Sequence, residues 1–576
     1  MKTSGIRTDL NQWKFALDQT GFGIGAGWTG IDYDDSAWKS VDCYSSWETY
    51  EYALRDYEGK AWFRTSFVPA SAVSNRYILH FDGVGGCAKV YVNGKYAGGT
   101  ENRYLPFELD VTLLIRRSRK YVEDAMTNVI AVLVDNSFHG EAHLPGGQGM
   151  EWVPYGGLTH HVWLEERDSF TVSHVRADAG ADGTLRVVAD VNNASAAELD
   201  GELILEVAGL PECTCRSSVH CGVVSRLSGN TTQVVLETRA ENAKLWSPEE
   251  PNLYDLKLSL YKDGKLRFSA EERIGFRTVE AKAGELLLNG KKLTIKGCNR
   301  YDEYAPYGIC PPEEKIRQDL MEMKKMGINL VCTHYPQDPV HYRIADEIGL
   351  MYMLEVPLNR WQPRADSYYE DHMSVVSEAV DCLDRAFYWH GNHPSWIICS
   401  LGNHCANSTP ACDQLLRTLA QRIRRLDCGR LITYAARELP GDGRELDFCD
   451  VLSVRFCSNM DMNKMKELYP NSPLLVTDVG YPCVRGIRSG GTETAFTEES
   501  GAAFMQQNLA GLRNTSVCGI VLWSWADYRC RRNFTVDGRH VPLNVTYGPY
   551  GIVTMDRKPK ELLKKAVQKA LKDWDD

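Results

Sequence analysis

The 576-residue sequence predicts a multidomain protein in which two β-sandwiches precede a (β/α)8 barrel. The chain is too long for a single hydrophobic core. Residues 1–277 alternate apolar and polar side chains at the two-residue period of strands and contain few helical periods. The remainder alternates short apolar runs with amphipathic helical segments, which is typical of a parallel barrel.

The region 1–168 is predicted to form a β-sandwich of jelly-roll type. Residues 77–84 and 88–95 alternate at period two, and the dipeptide Asn93-Gly94 is a strong hairpin signal. The region 169–277 remains all-β, with alternating runs at 185–191 and 254–260. Its length and strand density suit an immunoglobulin-like sandwich.

The region 278–576 is predicted to form the barrel. A strand at 293–299 precedes a helix that Pro311-Pro312 opens and Gly327 ends, with its apolar residues three and four positions apart. The later strands end near Tyr335, Glu355, Asn403, Ala436, Phe456, Asp478 and Trp525. Because active sites in this fold lie at the carboxyl ends of the strands, polar residues at those ends are candidates for function.

Charge and hydropathy argue against several classes of partner. A formal net charge of -11 disfavours binding to nucleic acid, which needs a clustered positive surface. The first residues lack the apolar segment of a signal peptide, and no run of 18 apolar residues occurs. We therefore expect a cytoplasmic protein that does not bind membranes, whereas a homo-oligomer remains open.

The cysteines do not indicate a metal site or a disulfide framework. Many of the 18 cysteines lie in or beside apolar strand-like runs, where a reduced thiol behaves as a small hydrophobic group. The pair Cys213 and Cys215 is not followed by a second pair at metal-binding spacing. We expect neither a metal nor a cofactor.

Two strand ends carry the residues most suited to chemistry. The apolar run that ends at Cys399 leads into Ser400-Leu401-Gly402-Asn403-His404, and the run from Pro473 leads into Thr477-Asp478-Val479-Gly480. An imidazole can give or take a proton near neutral pH. A carboxylate can activate water or face a developing positive charge.

These strand ends, together with others, resemble glycoside hydrolase family 2, the β-galactosidase and β-glucuronidase group. Residues 296–302 read K-G-C-N-R-Y-D against the family's K-G-x-N-R-H-E, and 333–336 read T-H-Y-P against S-H-Y-P. Residues 522–528, L-W-S-W-A-D-Y, are similar to W-x-F-A-D-F. The segments Trp13–Asp18 and Leu245–Tyr254 extend the resemblance to both sandwiches.

The resemblance places His404 at the family's proton donor and Asp478 at its nucleophile, which are both glutamates in the family. Asp478 retracts the carboxyl group by about 1.5 Å, which favours activation of water over direct attack. His404 would act either protonated as a general acid or neutral as a general base. The expected function is cleavage of a small glycoside or oligosaccharide. Lyase or hydratase chemistry on a modified sugar, and a non-catalytic carbohydrate-binding pseudoenzyme, remain alternatives.

Other residues acquire roles from the same resemblance. Glu355 is either a displaced proton donor or a hydrogen-bond acceptor behind the site, and Arg300 would pair with Asp478 and contact substrate. His334 and Asn403 would orient sugar hydroxyls, unless they only pack loops. Further candidates are the tryptophans that would stack on a sugar or lie in the core, and carboxylates of a rearranged site: Trp523, Trp525, Asp302, Glu303 and Asp527.

Two family elements are missing. The β-glucuronidase subgroup binds the uronate carboxylate through an N-x-K element, whereas residues 544–550 read N-V-T-Y-G-P-Y and contain no lysine. The resemblance therefore does not imply an ordinary glucuronidase. A catalytic magnesium of the β-galactosidase kind is also not implied, because one of its carboxylate ligands falls at His404.

Overall fold

The structure is a computed structural model, and the part of the chain that it describes forms two β-sandwiches and a closed barrel. The described residues are 1–70, 76–116, 126–137, 144, 152–223, 230–362, 369–427, 429–436, 446–457, 462–530, 535–536, 539–540 and 547–574. The predicted fold class is confirmed.

The first sandwich contains a six-stranded and a four-stranded antiparallel sheet, in the orders β4-β3-β5-β10-β7-β8 and β2-β11-β6-β9. The first eleven strands of the chain are β1 (Lys2–Thr3), β2 (Ile6–Asp9), β3 (Gln12–Leu17), β4 (Lys39–Asp42), β5 (Lys60–Phe67), β6 (Arg76–Phe81), β7 (Cys87–Val92), β8 (Lys95–Thr100), β9 (Phe107–Asp110), β10 (Asn128–Asp135) and β11 (Val162–Arg167). The predicted turn joins β7 to β8, where Asn93 and Gly94 have φ values of 52° and 80°. These left-handed values explain why the turn uses Asn-Gly.

The second sandwich is immunoglobulin-like and follows directly. Its strands are β12 (Phe170–Ala179), β13 (Thr184–Asn193), β14 (Leu199–Val207), β15 (Cys215–Cys221), β16 (Asn230–Arg239), β17 (Tyr254–Lys262) and β18 (Lys265–Ile274). One sheet has the order β12-β13-β16, and the other has the order β1-β18-β17-β14-β15. The first strand of the chain thus completes the second sandwich, with Lys2 opposite Glu271. The sequence did not indicate this pairing.

Eight parallel strands close the barrel, as predicted. They are β22 (Ile295–Asn299), β23 (Leu330–Thr333), β24 (Met351–Glu355), β25 (Trp396–Asn403), β26 (Leu431–Ala436), β27 (Val451–Arg455), β28 (Leu474–Val479) and β29 (Gly519–Leu522). A small antiparallel sheet precedes them and packs with Trp246 against their amino-terminal ends; its strands are β19 (Val279–Lys282), β20 (Glu285–Leu288) and β21 (Lys291–Leu293). This end of the barrel is therefore closed by apolar packing.

Seven helices surround the barrel in the described part of the chain. They are α1 (Glu313–Lys325), α2 (Pro339–Ile348), α3 (Tyr369–His390), α4 (Pro410–Leu426), α5 (Met462–Leu468), α6 (Glu498–Arg513) and α7 (Glu561–Asp573). Two short hairpin-like pairs follow β29: β30 (Tyr528–Arg529) with β33 (Tyr547–Gly548), and β31 (Thr535–Val536) with β32 (Arg539–His540). Among these described helices, none is both long and apolar enough to cross a membrane.

Candidate active site

A cavity of about 170 Å³ opens at the carboxyl ends of the barrel strands. The lining residues lie at the ends of six barrel strands or in the segments that follow them: His334, Asn359, Arg360, Asn403, His404, Arg455, Phe456, Asp478, Gly480, Trp523, Tyr528 and Tyr550. A concave site with converging polar groups at this end of a barrel is the usual place for catalysis.

His404 and Asp478 face each other in this cavity. His404 Nε2 lies 3.5 Å from Asp478 Oδ2, and both side chains are largely buried. His404 follows an irregularity in β25, where the register shifts between Ser400 and Asn403, and Asp478 lies within one in β28, between Val476 and Val479. Such irregularities at the rim of a barrel change the direction of nearby side chains.

The backbone at this pair is strained. His404 has a φ of 53° and Asp478 a φ of 60°, and Arg360 on the same cavity wall has a φ of 53°. Residues other than glycine cost free energy in the left-handed region and persist there when the surroundings hold them. Such residues cluster at functional sites, so the backbone conformation indicates that this cavity is a functional site.

Two further polar groups lie close to the Asp478 carboxylate. Asn299 Nδ2 at the end of β22 donates to Asp478 Oδ1 over 3.4 Å. Arg455 Nε at the end of β27 lies 4.0 Å from Asp478 Oδ2. The Asp478 carboxylate in β28 therefore lies among an imidazole, an amide and a guanidinium.

His334 is held by Glu355 on the next strand. Its Nδ1 lies 2.8 Å from Glu355 Oε1, and Ser400 Oγ donates to the other oxygen, Oε2, over 2.8 Å. Glu355 is buried and does not line the cavity. Because both of its oxygens are engaged, these contacts favour the role of a hydrogen-bond acceptor behind the site over that of a proton donor.

One wall of the cavity is aromatic. The ring of Trp523 lies 5.3 Å from that of His334 and 5.9 Å from that of Tyr528, measured between centroids. Trp152 from the first sandwich stacks on His334 at 5.8 Å with an interplanar angle of 6°. The first sandwich therefore packs against the cavity wall at His334, and Trp523 lines the cavity, where an aromatic ring can stack on a sugar face.

The prediction that Arg300 pairs with Asp478 is wrong. Arg300 is fully buried, and its guanidinium donates to Asp302 Oδ1 over 2.9 Å and to Asp319 Oδ2 over 3.2 Å. Asp319 lies on α1, beneath the strand ends, and its two oxygens also accept hydrogen bonds from Arg557. A buried guanidinium requires carboxylate partners, and Asp319 on α1 pairs with Arg300 in place of Asp478 on β28.

Trp525 and Asp527 also lie outside the cavity, which corrects their predicted roles in substrate binding. Trp525 belongs to the barrel core and donates from Nε1 to Asp319 Oδ1 over 2.5 Å. Asp527 Oδ1 accepts hydrogen bonds from Lys560 Nζ over 2.7 Å and from the Gly551 amide over 2.9 Å. Asp527 therefore holds the segment before α7 against the chain that follows β29, whereas Trp525 joins that chain to α1.

Glu303 and Asp302 are buried carboxylates that do not line the cavity. Glu303 accepts a hydrogen bond from Tyr155 of the first sandwich over 2.8 Å and from the Arg529 amide over 2.6 Å. Burial raises the pKa of Glu303 to about 7 and that of Asp302 to about 6. Glu303 therefore joins the first sandwich to the barrel rim.

Sequence reasoning did not select Arg455 and Arg360 as site residues. Arg455 is the last residue of β27, so its place at a strand end could have marked it. Arg360 lies five residues beyond the end of β24, and its amide donates to the Asn403 carbonyl over 2.8 Å. That contact brings the loop that follows β24 beside the end of β25. No local sequence pattern indicates this contact.

Within the described ranges, no cluster of three or more His, Cys, Asp or Glu side chains is arranged to hold a metal ion. The segment 544–546, where the uronate-binding lysine element would begin, lies outside the described residues.

Three regions of the chain match domain families. Residues 279–572 match "Glycosyl hydrolases family 2, TIM barrel domain", residues 167–277 match "Glycosyl hydrolases family 2", and residues 7–137 match "Glycosyl hydrolases family 2, sugar binding domain".

Two curated relatives are similar over part of their length. A protein named putative beta-glucuronidase from Formosa agariphila is 30% identical over 381 residues, which cover 64% of this chain and 43% of that protein. A beta-galactosidase from Thermoanaerobacter pseudethanolicus is 28% identical over 373 residues, which cover 63% of this chain and 48% of the relative. The matched region thus spans less than half the length of either relative.

Solved structures share the fold over nearly the whole chain. A GH2 beta-galacturonidase from Eisenbergiella tayi bound to galacturonate superposes with a TM-score of 0.82 at 23% identity, covering 99% of this chain and 97% of the other. A b-glucuronidase from Ruminococcus gnavus superposes with a TM-score of 0.84 at 20% identity, covering 99% and 98% of the two chains. At these identities the likeness establishes the fold.

Proposed function

Because the chain belongs to glycoside hydrolase family 2, we propose that it cleaves a glycosidic bond with His404 as the proton donor and Asp478 as its paired carboxylate. The observation that carries this proposal is the 3.5 Å separation between His404 Nε2 and Asp478 Oδ2. The surrounding amides, imidazole and aromatic rings are of the kinds that bind sugar hydroxyls and sugar faces.

The pair differs from the two carboxyl groups of ordinary glycosidases. Those groups lie about 5 to 5.5 Å apart in retaining enzymes and about 6.5 to 9.5 Å apart in inverting enzymes. A separation of 3.5 Å leaves no room for the anomeric carbon between the two side chains. We therefore place both groups on one side of the scissile bond, where they act as a unit.

The charges of the pair suit the transition state of glycoside cleavage. A protonated His404 and an ionised Asp478 together carry no net charge. When the imidazole transfers its Nε2 proton to the glycosidic oxygen, the pair becomes an anion while the sugar becomes an oxocarbenium-like cation. The carboxylate is thus uncompensated at the moment when it stabilises positive charge on the sugar.

Water completes the reaction. The C–O bond to the leaving group breaks with its electron pair on oxygen, which has received the imidazole proton. Water then forms a bond to the anomeric carbon and returns one proton to His404. The products are a free sugar and an alcohol, and the pair regains its starting charge.

The cavity also favours an acidic sugar. Arg360 and Arg455 contribute two guanidinium groups to a small cavity, and guanidinium groups bind carboxylates with good geometry. The similar E. tayi enzyme is described as a galacturonidase bound to galacturonate. We propose that the substrate is a glycoside of a uronic acid, and that arginines replace the lysine that is absent from residues 544–550.

Elimination is the second candidate, and the position of Arg455 favours it. A guanidinium beside the His404–Asp478 pair would stabilise the charge on a sugar carboxylate while neutral His404 removes the proton from the adjacent carbon. The leaving oxygen departs with the bonding pair, and the sugar gains a conjugated double bond. Acid catalysis predicts that the rate falls as pH rises through about 6.5, whereas base catalysis predicts a rise.

The test uses a panel of alkyl glycosides and oligosaccharides of neutral and acidic sugars with the parent, His404→Ala and Asp478→Asn. His220→Ala and Asp200→Asn are matched controls, because they disrupt an exposed His–Asp pair at 2.7 Å between β15 and β14. Turnover that is lost in the two site variants and retained in the controls supports the proposal. An unsaturated uronate among the products, identified by mass spectrometry, indicates elimination instead. Saturable sugar binding without turnover contradicts catalysis and indicates a pseudoenzyme.

A further inference from the structure

A second and larger cavity lies between the immunoglobulin-like sandwich and the amino-terminal side of the barrel. It encloses about 730 Å³. Its walls come from β12, β13 and β16 and from the segments that lead into β25 and β26, at the opposite end of these strands from His404. We call it the sandwich–barrel cleft and define it by Arg176, Asp178, Arg277, Arg425, Asp427 and Arg430.

The cleft is positively charged although the protein is acidic. Six arginines and three acidic residues line it, and Asp450 pairs with Arg424 at 2.5 Å, which leaves an excess of two positive charges. The whole chain carries a formal charge of -11. A local excess of this sign within an acidic protein attracts anions to one place.

Two of the guanidinium groups lie close together. Arg277 Nη2 and Arg430 Nε both donate to the Trp396 carbonyl, over 2.8 Å and 2.9 Å. Arg430 also pairs with Asp427, whereas Arg277 donates to the carbonyl oxygens of Pro394 and Trp396. Desolvation, followed by the charge of Arg430, lowers the pKa of Arg277 to about 10. The neighbouring carboxylates of Asp427, Asp346 and Asp178 raise this pKa by less than those two effects lower it.

Two other arginines extend this group toward solvent. Arg176 Nη1 donates to the Leu426 carbonyl over 3.1 Å. Its Nε is buried without a hydrogen-bond partner in the described part of the chain, and Asp178 Oδ2 lies 3.6 Å away. Arg425 is exposed on the last turn of α4, next to Leu426. Arginine side chains therefore line the cleft on both of its walls.

We propose that the sandwich–barrel cleft binds a multivalent oxyanion, with Arg176, Arg277 and Arg425 as its contacts. Planar guanidinium groups suit the paired oxygens of carboxylate, sulfate and phosphate groups. Two sources share this chemistry: the carboxylates of an acidic sugar chain, and free inorganic sulfate or phosphate. The site is separate from the His404 cavity and does not depend on the reaction proposed there.

The experiment titrates the full chain with sodium sulfate, sodium phosphate and a galacturonate oligomer, using calorimetry and thermal unfolding. The variants are Arg425→Ser, Arg176→Gln and the double substitution. Arg417→Ser on the same helix is the matched control, because Arg417 pairs with Asp413 and Asp447 away from the cleft. Arg455→Ser reports any binding of the oligomer in the other cavity.

We expect one saturable site for sulfate and for phosphate in the parent, in Arg417→Ser and in Arg455→Ser, and the cleft site for the oligomer is the one that Arg455→Ser retains. The Kd should rise about tenfold in each single cleft variant, because each removes one charge-assisted contact. Tighter binding of the oligomer than of sulfate and phosphate would identify an acidic sugar chain as the ligand, and the reverse order a free oxyanion. The proposal is overturned if none of the three anions binds saturably, or if the double variant binds them as the parent does.

Discussion

Two aspartates lie at the carboxyl ends of the last two strands of the barrel, and their surroundings differ. Asp527, which follows β29, is buried with one oxygen bonded to Lys560 Nζ at 2.7 Å and to the Gly551 amide at 2.9 Å. Asp478, near the end of β28, lines a cavity, and its contacts with Asn299, His404 and Arg455 are 3.4, 3.5 and 4.0 Å long. One aspartate is fixed by short bonds, whereas the other lies among groups that a ligand can approach.

This comparison shows that a place at a strand end does not by itself identify a catalytic acid. Both aspartates occupy the functional end of the barrel. A buried ammonium beside Asp527 makes it part of the framework, because each charge needs the other. The cavity and the left-handed backbone distinguish Asp478.

The largest expected effect is on turnover at the cavity pair. Replacing His404 with alanine or Asp478 with asparagine should lower kcat on an alkyl glycoside by about a thousandfold, because each removes either the proton donor or the charge that stabilises the transition state. Circular dichroism melts should show little change in Tm. Equal turnover in the parent and both variants would show that this pair takes no part in catalysis.

The corresponding change at the other aspartate should affect folding. Asp527→Asn leaves the buried Lys560 ammonium without its carboxylate, which should lower the free energy of unfolding by about 3 to 5 kcal/mol. Urea denaturation measures this loss. Asp556→Asn is the control, since its exposed pair with Lys558 should contribute less than about 1 kcal/mol. A similar loss in both variants would mean that the Asp527 pair has no special structural role.

Glu303 should make the stability of the parent depend on pH. Its pKa rises from 4.5 to about 7 on burial, so the folded state binds this proton more tightly than the unfolded state does. The resulting stabilisation is complete below about pH 4.5 and is lost as pH rises through about 7. Glu303→Gln should therefore be more stable than the parent at pH 8, by on the order of 3 kcal/mol, and similar near pH 4. Urea denaturation at both values tests this, and a gap that does not change with pH would contradict it.

The smallest expected effect concerns Glu355. If it only positions His334, Glu355→Gln should lower kcat/KM about tenfold, the cost of one charge-assisted hydrogen bond. If it were the displaced proton donor, the loss would approach that of His404→Ala. Steady-state kinetics on one substrate distinguish the two roles of Glu355. They therefore show whether this residue behind the cavity takes part in proton transfer.

Much of the architecture could be predicted because it rests on local periodicity. The apolar runs that become β22 to β29 are short and regularly spaced, and the Asn93-Gly94 turn has one dominant conformation. The pairing of β1 with β18 joins residues more than 260 positions apart. Such a contact depends on the docking of two sandwiches, which no local pattern records.

The candidate site was predicted less completely. Strand ends marked His404 and Asp478, and the structure brings these side chains together. The partner of Arg300 could not be read from the sequence, because a long side chain reaches several elements and Asp319 lies on a helix below the strand end. Arg360 was missed because it lies in a loop whose contact with the end of β25 is not visible in the sequence.

The most direct test of proton transfer from His404 is the dependence of kcat/KM on the leaving group. Aryl glycosides with acidic phenols, such as dinitrophenol, need no proton to depart, whereas alkyl glycosides do. The account predicts that His404→Ala approaches the parent on the dinitrophenyl substrate and falls about a thousandfold behind on the alkyl one, while Asp478→Asn is impaired on both. An equal loss for His404→Ala on both substrates would contradict it.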